Sequence, residues 1–347
     1  MQRGVYVGTR LFLEKCDTLL SLIGHTDNQP GELIILCADV GGTNIRLRLN
    51  EVFREEGVVK HARLCEQVTK TLDCARLEDA FIGFLKTAPR RVRVGAVALA
   101  GPIKDGAILM SNAQKWGLLQ EEEFAKKIGL ERVKFLNDFE AISYGVEKLE
   151  PEDVHSVNGL PPTDDVKAVL GPGTGLGCSI LISEHSTSGM RSRVLPCEFG
   201  HVDPLLSSSE DLEIMKFIEQ ESGQAVVLER SFCGPAIPYI FKFYPKSPEA
   251  QEQSYEIISK GVAKQDEACE RAVAFIWEVY MRVIITFTML LLPKGGIYLV
   301  GSLTNSLIPY IKEHVDQLKA RMLWLPDLGL KGARVIAQRI VEEMQVL

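Results

Sequence analysis

Apolar positions along this chain come in short runs closed by glycine turns, and between the runs they recur at helical spacing. Leu33–Cys37 is a run of buried-strand type. Arg46–Asn50 alternates arginine with leucine, as a strand with one covered face does, and the Gly41-Gly42 pair between the two predicts a hairpin. Arg93–Leu99 predicts a further strand, ending in Ala100-Gly101-Pro102. Leu119–Ile128 has helical spacing and stops at Gly129. Val133–Leu136 predicts a short strand closed by Asn137-Asp138, and Phe139–Leu149 a helix.

Beyond Pro151 the sequence is rich in turns, with Pro161-Pro162 and Asp164-Asp165, and this marks a domain boundary. Lys167–Leu170 and Cys178–Ile182 predict strands on either side of Gly171–Gly177. Ser207-Ser208-Ser209-Glu210 has capping-box spacing and opens a helix running to Gly223. Most of the chain from there to Leu292 reads as helix. Gly296–Val300 predicts a strand, Gly301-Ser302 a turn, and Ser306–Met322 and Arg334–Met344 helices. This order is that of an α/β protein and leaves room for two similar halves. Ahead of it, Leu11–Leu20 reads as a short amphipathic helix before the loop His25–Gly31.

Composition narrows the function. The 347 residues are 46% hydrophobic, enough for two cores. The net charge of -7 and the lack of a basic block speak against nucleic acid as a partner. An acidic chain gains no global attraction for a phosphate-bearing ligand, so such a site must be built locally from backbone amides and a metal ion. The eight cysteines have neither C-x-x-C nor zinc spacing and read as reduced thiols of a cytosolic protein. The longest apolar run, Val283–Leu292, is too short to span a membrane, and Glu14, Lys15 and Asp17 break any signal-peptide pattern.

Three glycine turns carry the candidate chemistry. In Asp39-Val40-Gly41-Gly42-Thr43-Asn44 the missing side chains let backbone N–H groups close around a phosphate, and Thr43 and Asn44 add polar groups. Asp39, at the strand end, is placed to hold a Mg2+-bound water. A plain hairpin uses the same residues. Gly171–Gly177 leads into a strand and lacks Gly-Lys-Ser/Thr, so it is neither a dinucleotide fingerprint nor a Walker A loop. It fits a second phosphate-facing hairpin. Gly295–Ser302 is a strand–helix junction against which an adenosine could lie, and it also fits an ordinary βα turn. Leu136-Asn137-Asp138 sets polar groups at the carboxyl edge of a sheet. A carboxylate there can orient an attacking hydroxyl and accept its proton, while Asn-Asp is equally a good helix cap.

Taken together and in order, these segments resemble the bacterial-type ATP-dependent glucokinases of the actin/hexokinase class. The matching residues are Ala38–Asn44, Leu99–Ile103, Leu136–Phe139, Gly173–Gly177, Glu198-Phe199-Gly200-His201-Val202-Asp203, and Glu229-Arg230 with Gly234-Pro235. The resemblance covers roughly residues 33–347. It implies an α/β, two-domain actin/hexokinase-like (ribonuclease H-like) fold with the active site in the interdomain cleft. The expected division is an N-terminal extension (1–30), a small α/β domain (31–148, with a C-terminal helix 333–347) and a large α+β domain (149–332). The implied reaction moves the γ-phosphoryl of ATP to the 6-hydroxyl of glucose, giving glucose 6-phosphate and ADP. Asp138 is then the general base. Asn112, Asn137, Asp138, Glu198, His201 and Glu229 hold the sugar. Asp39, Gly41, Gly42, Thr43, Asn44, Gly173, Thr174, Gly175 and Gly301 hold ATP, with Mg2+ reached from Asp39 through water. Two positions depart from the family: Phe199, which narrows the sugar pocket, and Ser302, which alters the adenine grip, both stand where glycine is usual.

Rival readings are weaker. Kinases of the repressor/open-reading-frame/kinase family carry a cysteine cluster soon after Glu-x-Gly-His, whereas here no cysteine follows His201 before Cys233. A non-catalytic sugar sensor or an actin-like ATPase has no need of Asp138. A kinase for another hexose stays open. The resemblance leaves room for a homodimer and implies a cytoplasmic setting, with neither nucleic acid nor membrane as partner.

Overall fold

The computed structural model describes residues 5–8, 33–55, 58–110, 113–146, 149, 154–157, 163, 165–186, 189–244 and 253–322. Asn112 and the helices expected at Leu11–Leu20 and Arg334–Met344 (residues 333–347 of the expected small domain) lie outside these described residues. In chain order the elements are β1 (Val5–Gly8), β2 (Leu33–Val40), β3 (Asn44–Glu55), β4 (Val58–Lys70), α1 (Leu77–Leu85), β5 (Val94–Leu99), β6 (Ala107–Leu109), β7 (Leu118–Gln120), α2 (Glu121–Ile128), β8 (Arg132–Asn137) and α3 (Asp138–Val146). Then come β9 (Val154–Ser156), β10 (Lys167–Pro172), β11 (Leu176–Ser186), β12 (Gly189–Cys197), α4 (Ser209–Ser222), α5 (Ile237–Phe243), α6 (Ser254–Val262), α7 (Glu267–Leu291), β13 (Gly296–Val300) and α8 (Ser302–Met322). The fold is α/β with mixed sheets. It divides into two compact units, Arg10–Glu150 with Val194–Pro196, and Met1–Thr9 with Pro151–Arg193 and Cys197–Leu347.

The first unit carries a five-stranded sheet in the order β4-β3-β2-β5-β8. β2, β3 and β4 form an antiparallel meander, and β5 and β8 run parallel to β2. Ile34–Ala38 of β2 is buried on both faces, which is why its run is apolar without alternation. β3 does alternate. Ile45, Leu47 and Leu49 join a core with Phe81, Phe84 and Phe124, while Arg48 is buried and bonds to Glu66 through Nε (2.9 Å) and Nη2 (2.6 Å). The carboxyl ends of β2, β5 and β8 lie side by side, with Val40, Leu99 and Asn137 in register, so Gly41, Gly101 and Asp138 emerge along one edge.

The second unit carries a six-stranded sheet in the order β12-β11-β10-β13-β1-β9. β10 pairs antiparallel with β11 and parallel with β13. Its long helix α7 is apolar enough to span a membrane by composition, but 61% of that apolar window is buried. Trp277, Tyr280 and Ile284 pack in the core, so α7 is a core helix of this unit.

Some elements differ from the sequence-based expectation. Residues 1–30 are not wholly a separate extension, because Val5–Gly8 pairs parallel with Ile297–Val300 and covers an edge that would otherwise present unpaired backbone groups. The cap of α4 is Ser208 with Asp211, one residue later than expected. Ser208 Oγ accepts from Asp211 N (3.1 Å), and the Asp211 carboxylate accepts from Ser208 N (3.2 Å). β4, β12 and α1 were not expected at all.

Helix α6 crosses α7 at Gly261, where an added Cβ would stand 2.4 Å from Cys269 O and 2.6 Å from Val273 Cγ2. Alanine gains about 1 kcal/mol of helix propensity over glycine. Overpacking against backbone costs about 1–3 kcal/mol. Gly261→Ala is therefore expected to lower the melting temperature, as checked by thermal denaturation. A rise would show that propensity outweighs the overlap.

Candidate active site

Each unit holds part of the expected site. In the first, the β2–β3 hairpin turns through Gly41, Gly42 and Thr43, with Gly41 N donating to Asn44 O (3.0 Å). Gly42 and Thr43 are exposed. Asp39, just before the turn, is half-buried and pairs with Arg46 Nη1 across the hairpin (3.1 Å). Burial pushes the Asp39 carboxyl up, against the Arg46 guanidinium, which draws it down.

The β8–α3 junction separates two roles that the sequence left merged. Asn137, not Asp138, caps the helix, its Oδ1 accepting from Phe139 N (2.9 Å) and Glu140 N (3.3 Å). Its Nδ2 donates to Gly101 O (3.0 Å), tying the cap to the turn after β5. What Asn137 retains for a ligand is its second Nδ2 hydrogen. Asp138 is the first helical residue, half-buried, with Oδ1 accepting from Phe139 N (2.9 Å). A carboxylate at that helix end is favoured by the helix dipole.

In the second unit the β10–β11 hairpin turns through Gly173, Thr174 and Gly175. Gly173 N donates to Gly175 O (2.8 Å), and Gly234 N donates to Gly173 O (2.8 Å), so the Gly234-Pro235 segment clamps the turn. A Cβ on Gly173 would meet nothing within 4 Å, so this glycine faces open space. Gly301, at the β13–α8 junction, has φ +96, and a Cβ there would lie 3.1 Å from Pro172 O at the base of the same hairpin. The two expected nucleotide segments of this unit therefore touch. Ser302 is the exposed first residue of α8.

Three of the expected sugar residues converge beside this hairpin. His201 Nε2 lies 3.5 Å from Glu198 Oε2, and its Nδ1 lies 4.0 Å from Glu229 Oε1. Glu198 and His201 are exposed, whereas Glu229 is mostly covered. Glu229 Oε2 accepts from Leu176 N (3.1 Å) and sits where a Cβ on Gly175 or Gly200 would be, at 2.4 and 2.9 Å. The wall is braced from behind. Leu228 N donates to Val202 O (2.8 Å), and Arg282 Nη1 bonds to Leu205 O (2.8 Å) and Asp211 Oδ2 (2.7 Å). Phe199 packs edge-on against Phe287 (5.0 Å) and lines an apolar depression of about 330 Å³ with Cys197, Val202 and Leu290. Glu198, one of the expected sugar residues, lines the same depression. Burial pushes the Cys178 and Cys233 thiols well up, as suits inert packing residues.

Pattern reading missed Gly200 as a space-making residue, although it stands inside a quoted motif. It also missed Thr71, Arg282 and Asp211, which no local pattern marks. Among the described residues no cluster of His, Cys, Asp and Glu has the make-up of a metal site.

Comparison with known proteins identifies the family. A family model described as Glucokinase matches residues 36–322. A glucokinase of Nostoc punctiforme is 25% identical, with 88% of this chain and 99% of the relative aligned. A glucokinase of an Enterobacter species is 30% identical over 80% of this chain and 84% of its own. The crystal structure of Balamuthia mandrillaris glucokinase in complex with glucose superposes with a TM-score of 0.64 at 18% identity, covering 91% of this chain and 92% of that one.

The two hairpin glycines should respond differently to a methyl group. Gly175→Ala puts a Cβ on the Glu229 carboxylate, and a hydrogen bond to a charged group is worth about 1.5–3 kcal/mol. A roughly ten- to hundredfold loss in kcat/KM for glucose is expected. Gly173→Ala should melt as wild type. Equal melting and equal kcat/KM in the two variants would contradict the packing of Glu229.

Proposed function

We propose that this chain, which belongs to the glucokinase family and phosphorylates glucose with ATP, uses Asp138 as the general base on the 6-hydroxyl. The observation that carries the proposal is the convergence of Glu198, His201 and Glu229 beside the Gly173–Gly175 hairpin, in a chain whose family match spans both units. Carboxylates accept from sugar hydroxyls, and a neutral imidazole both donates and accepts. Asp138 stands at the carboxyl end of β8, and because Asn137 does the capping, its carboxylate is not the helix cap. Asn112 completes the sugar contacts in this proposal.

ATP is assigned to the two hairpins and the Gly301 junction. Gly42 and Thr43 offer amides to the outer phosphates in a turn closed by the Gly41 N–H on Asn44 O, Thr174 and Gly175 offer theirs to the others in a turn closed by the Gly173 N–H on Gly175 O, and Gly301 makes room at the nucleoside. A magnesium ion carried by the nucleotide fits this arrangement, because Mg2+ needs few protein ligands and keeps several waters. Asp39 is already paired with Arg46, which suits a contact through water rather than direct ligation. When bound, the ion supplies charge neutralisation at the phosphates.

Both sheets join antiparallel pairing to parallel strands, and the site residues are shared between units, which supports an actin/hexokinase-like fold with the active site in the interdomain cleft. The small domain would then be 31–148 with 333–347, and the large one 149–332. The unbridged thiols among the described residues support a reducing, cytoplasmic setting. A homodimer is the assembly to test first, by light scattering.

Asp138→Asn tests the mechanism. Asparagine keeps the shape and an acceptor for Phe139 N, so the melting temperature should hold. Loss of a general base typically costs about 10²–10⁴-fold. The expected result is a fall in kcat of that order while glucose still raises the melting temperature. Wild-type turnover in the folded variant would remove Asp138 from the chemistry.

A further inference from the structure

The Gly41–Thr43 turn is held by a residue that no motif contains. Thr71 opens a single 3-10 turn after β4 and is 2% exposed. Its backbone N–H donates to Thr43 O (3.0 Å), and its hydroxyl donates to Gly41 O (2.8 Å). One residue thus engages the carbonyls on both sides of Gly42. With those carbonyls turned toward Thr71 and the Gly41 N–H donated to Asn44 O, the Gly42 and Thr43 N–H groups are left to the other side. Thr71 is itself fixed from a distant segment. Lys115 Nζ donates to Thr71 O (3.0 Å) and Leu72 O (3.2 Å), and the neighbouring Trp116 Nε1 donates to Cys74 O (3.1 Å). A cation on the carbonyls that end a helical turn is electrostatically favoured. Lys115 lies three residues after Asn112, in the loop expected to reach the sugar.

We infer that Thr71 and Lys115 form a positioning strut. It holds the Gly41–Thr43 turn in its phosphate-accepting conformation and links that turn to the Gln114–Trp116 turn. The inference rests on the reading of Gly41–Asn44 as a phosphate turn and adds the residues that set its shape. Neither strut residue need touch a ligand. The effect is expected in the ATP step, not in bare stability, because what the strut fixes is the direction of the turn's amides. Preorganised donors act on phosphates without rearrangement at the moment of reaction.

The test compares Thr71→Val, Thr71→Ser, Lys115→Met, the double variant Thr71→Val/Lys115→Met, and Gly42→Val as a direct probe of the turn. Losing one hydrogen bond corresponds to about three- to tenfold. Thr71→Val should raise the ATP KM by that factor and leave the glucose-induced melting shift in place. Thr71→Ser, which keeps the hydroxyl, should restore the ATP KM. Lys115 is exposed, so Lys115→Met probes the strut without disturbing the core. It should also raise the ATP KM, and the double variant should fall short of the product of the two single effects. An unchanged ATP KM in Thr71→Val or Lys115→Met, or strict additivity, overturns the strut while leaving the phosphate reading intact if Gly42→Val raises the ATP KM. An unchanged ATP KM in Gly42→Val removes the phosphate reading and the strut with it. If Thr71→Val does not fold, Thr71→Ser and Lys115→Met still decide.

Discussion

The Glu229 carboxylate lies directly against the peptide backbone at Gly175 and Gly200, and the wall it forms with Glu198 and His201 depends on that approach. Its Oε2 accepts the Leu176 N–H at 3.1 Å, a bond reachable only because neither glycine has a Cβ to occupy the same space. Neither glycine has a positive φ, so they are required for room and not for backbone freedom. Gly301 is the opposite case, with φ +96, a conformation that side chains resist. Three glycines around one hairpin thus answer to two different physical demands. Clamping by Gly234 and bracing by Arg282 keep that hairpin and the Glu198–His201 turn at a fixed spacing.

The two glycine hairpins look alike in sequence and are stabilised differently. A Cβ on Gly41 would make only an ordinary 3.6 Å contact with Asn44 O, so packing does not define that turn. Hydrogen bonds from Thr71 define it instead. The Gly173 turn is held by the Gly234 amide on Gly173 O and by the Glu229 carboxylate packed against Gly175. A loop fixed by bonds from another segment can relax when those bonds are lost. A loop fixed by steric fit around a carboxylate tends to fail as a unit.

Legibility in the sequence tracked burial. β2, β5 and β13 are covered on both faces, and their unbroken apolar runs mark them. β4 lies at a sheet edge, carries exposed polar residues such as Glu66 and Gln67, and was invisible to the same reasoning. β1 was hidden for another reason. Its partner β13 lies almost three hundred residues away, at Ile297–Val300, and no local pattern reports such pairing. The candidate site was legible where a motif holds both the chemistry and the space around it, as in Glu198–His201. It was not legible where the support comes from elsewhere, as with Thr71 beneath Gly41 or Arg282 behind Leu205. At Asn137-Asp138 the sequence allowed either residue to cap, and the Gly101 carbonyl decided by drawing Asn137 into the cap position.

The spacing of Glu198, His201 and Glu229 carries its own chemical meaning. His201 stands 3.5 Å from Glu198 and 4.0 Å from Glu229, both longer than a good N–H···O bond. The imidazole is therefore near both carboxylates without being consumed by either. A hydroxyl bonds to a carboxylate at about 2.5–3.0 Å, so it can enter where the imidazole does not close the gap. Two carboxylates can only accept, and between them a neutral imidazole supplies one donor and one acceptor. The matching ligand presents hydroxyls on adjacent carbons, each able to donate to a carboxylate and at least one able to accept from the ring. A single alcohol leaves part of that set unpaired, and an unpaired group at a partly covered carboxylate such as Glu229 is costly. Selection for a polyhydroxy ring thus follows from donor and acceptor counting at three side chains.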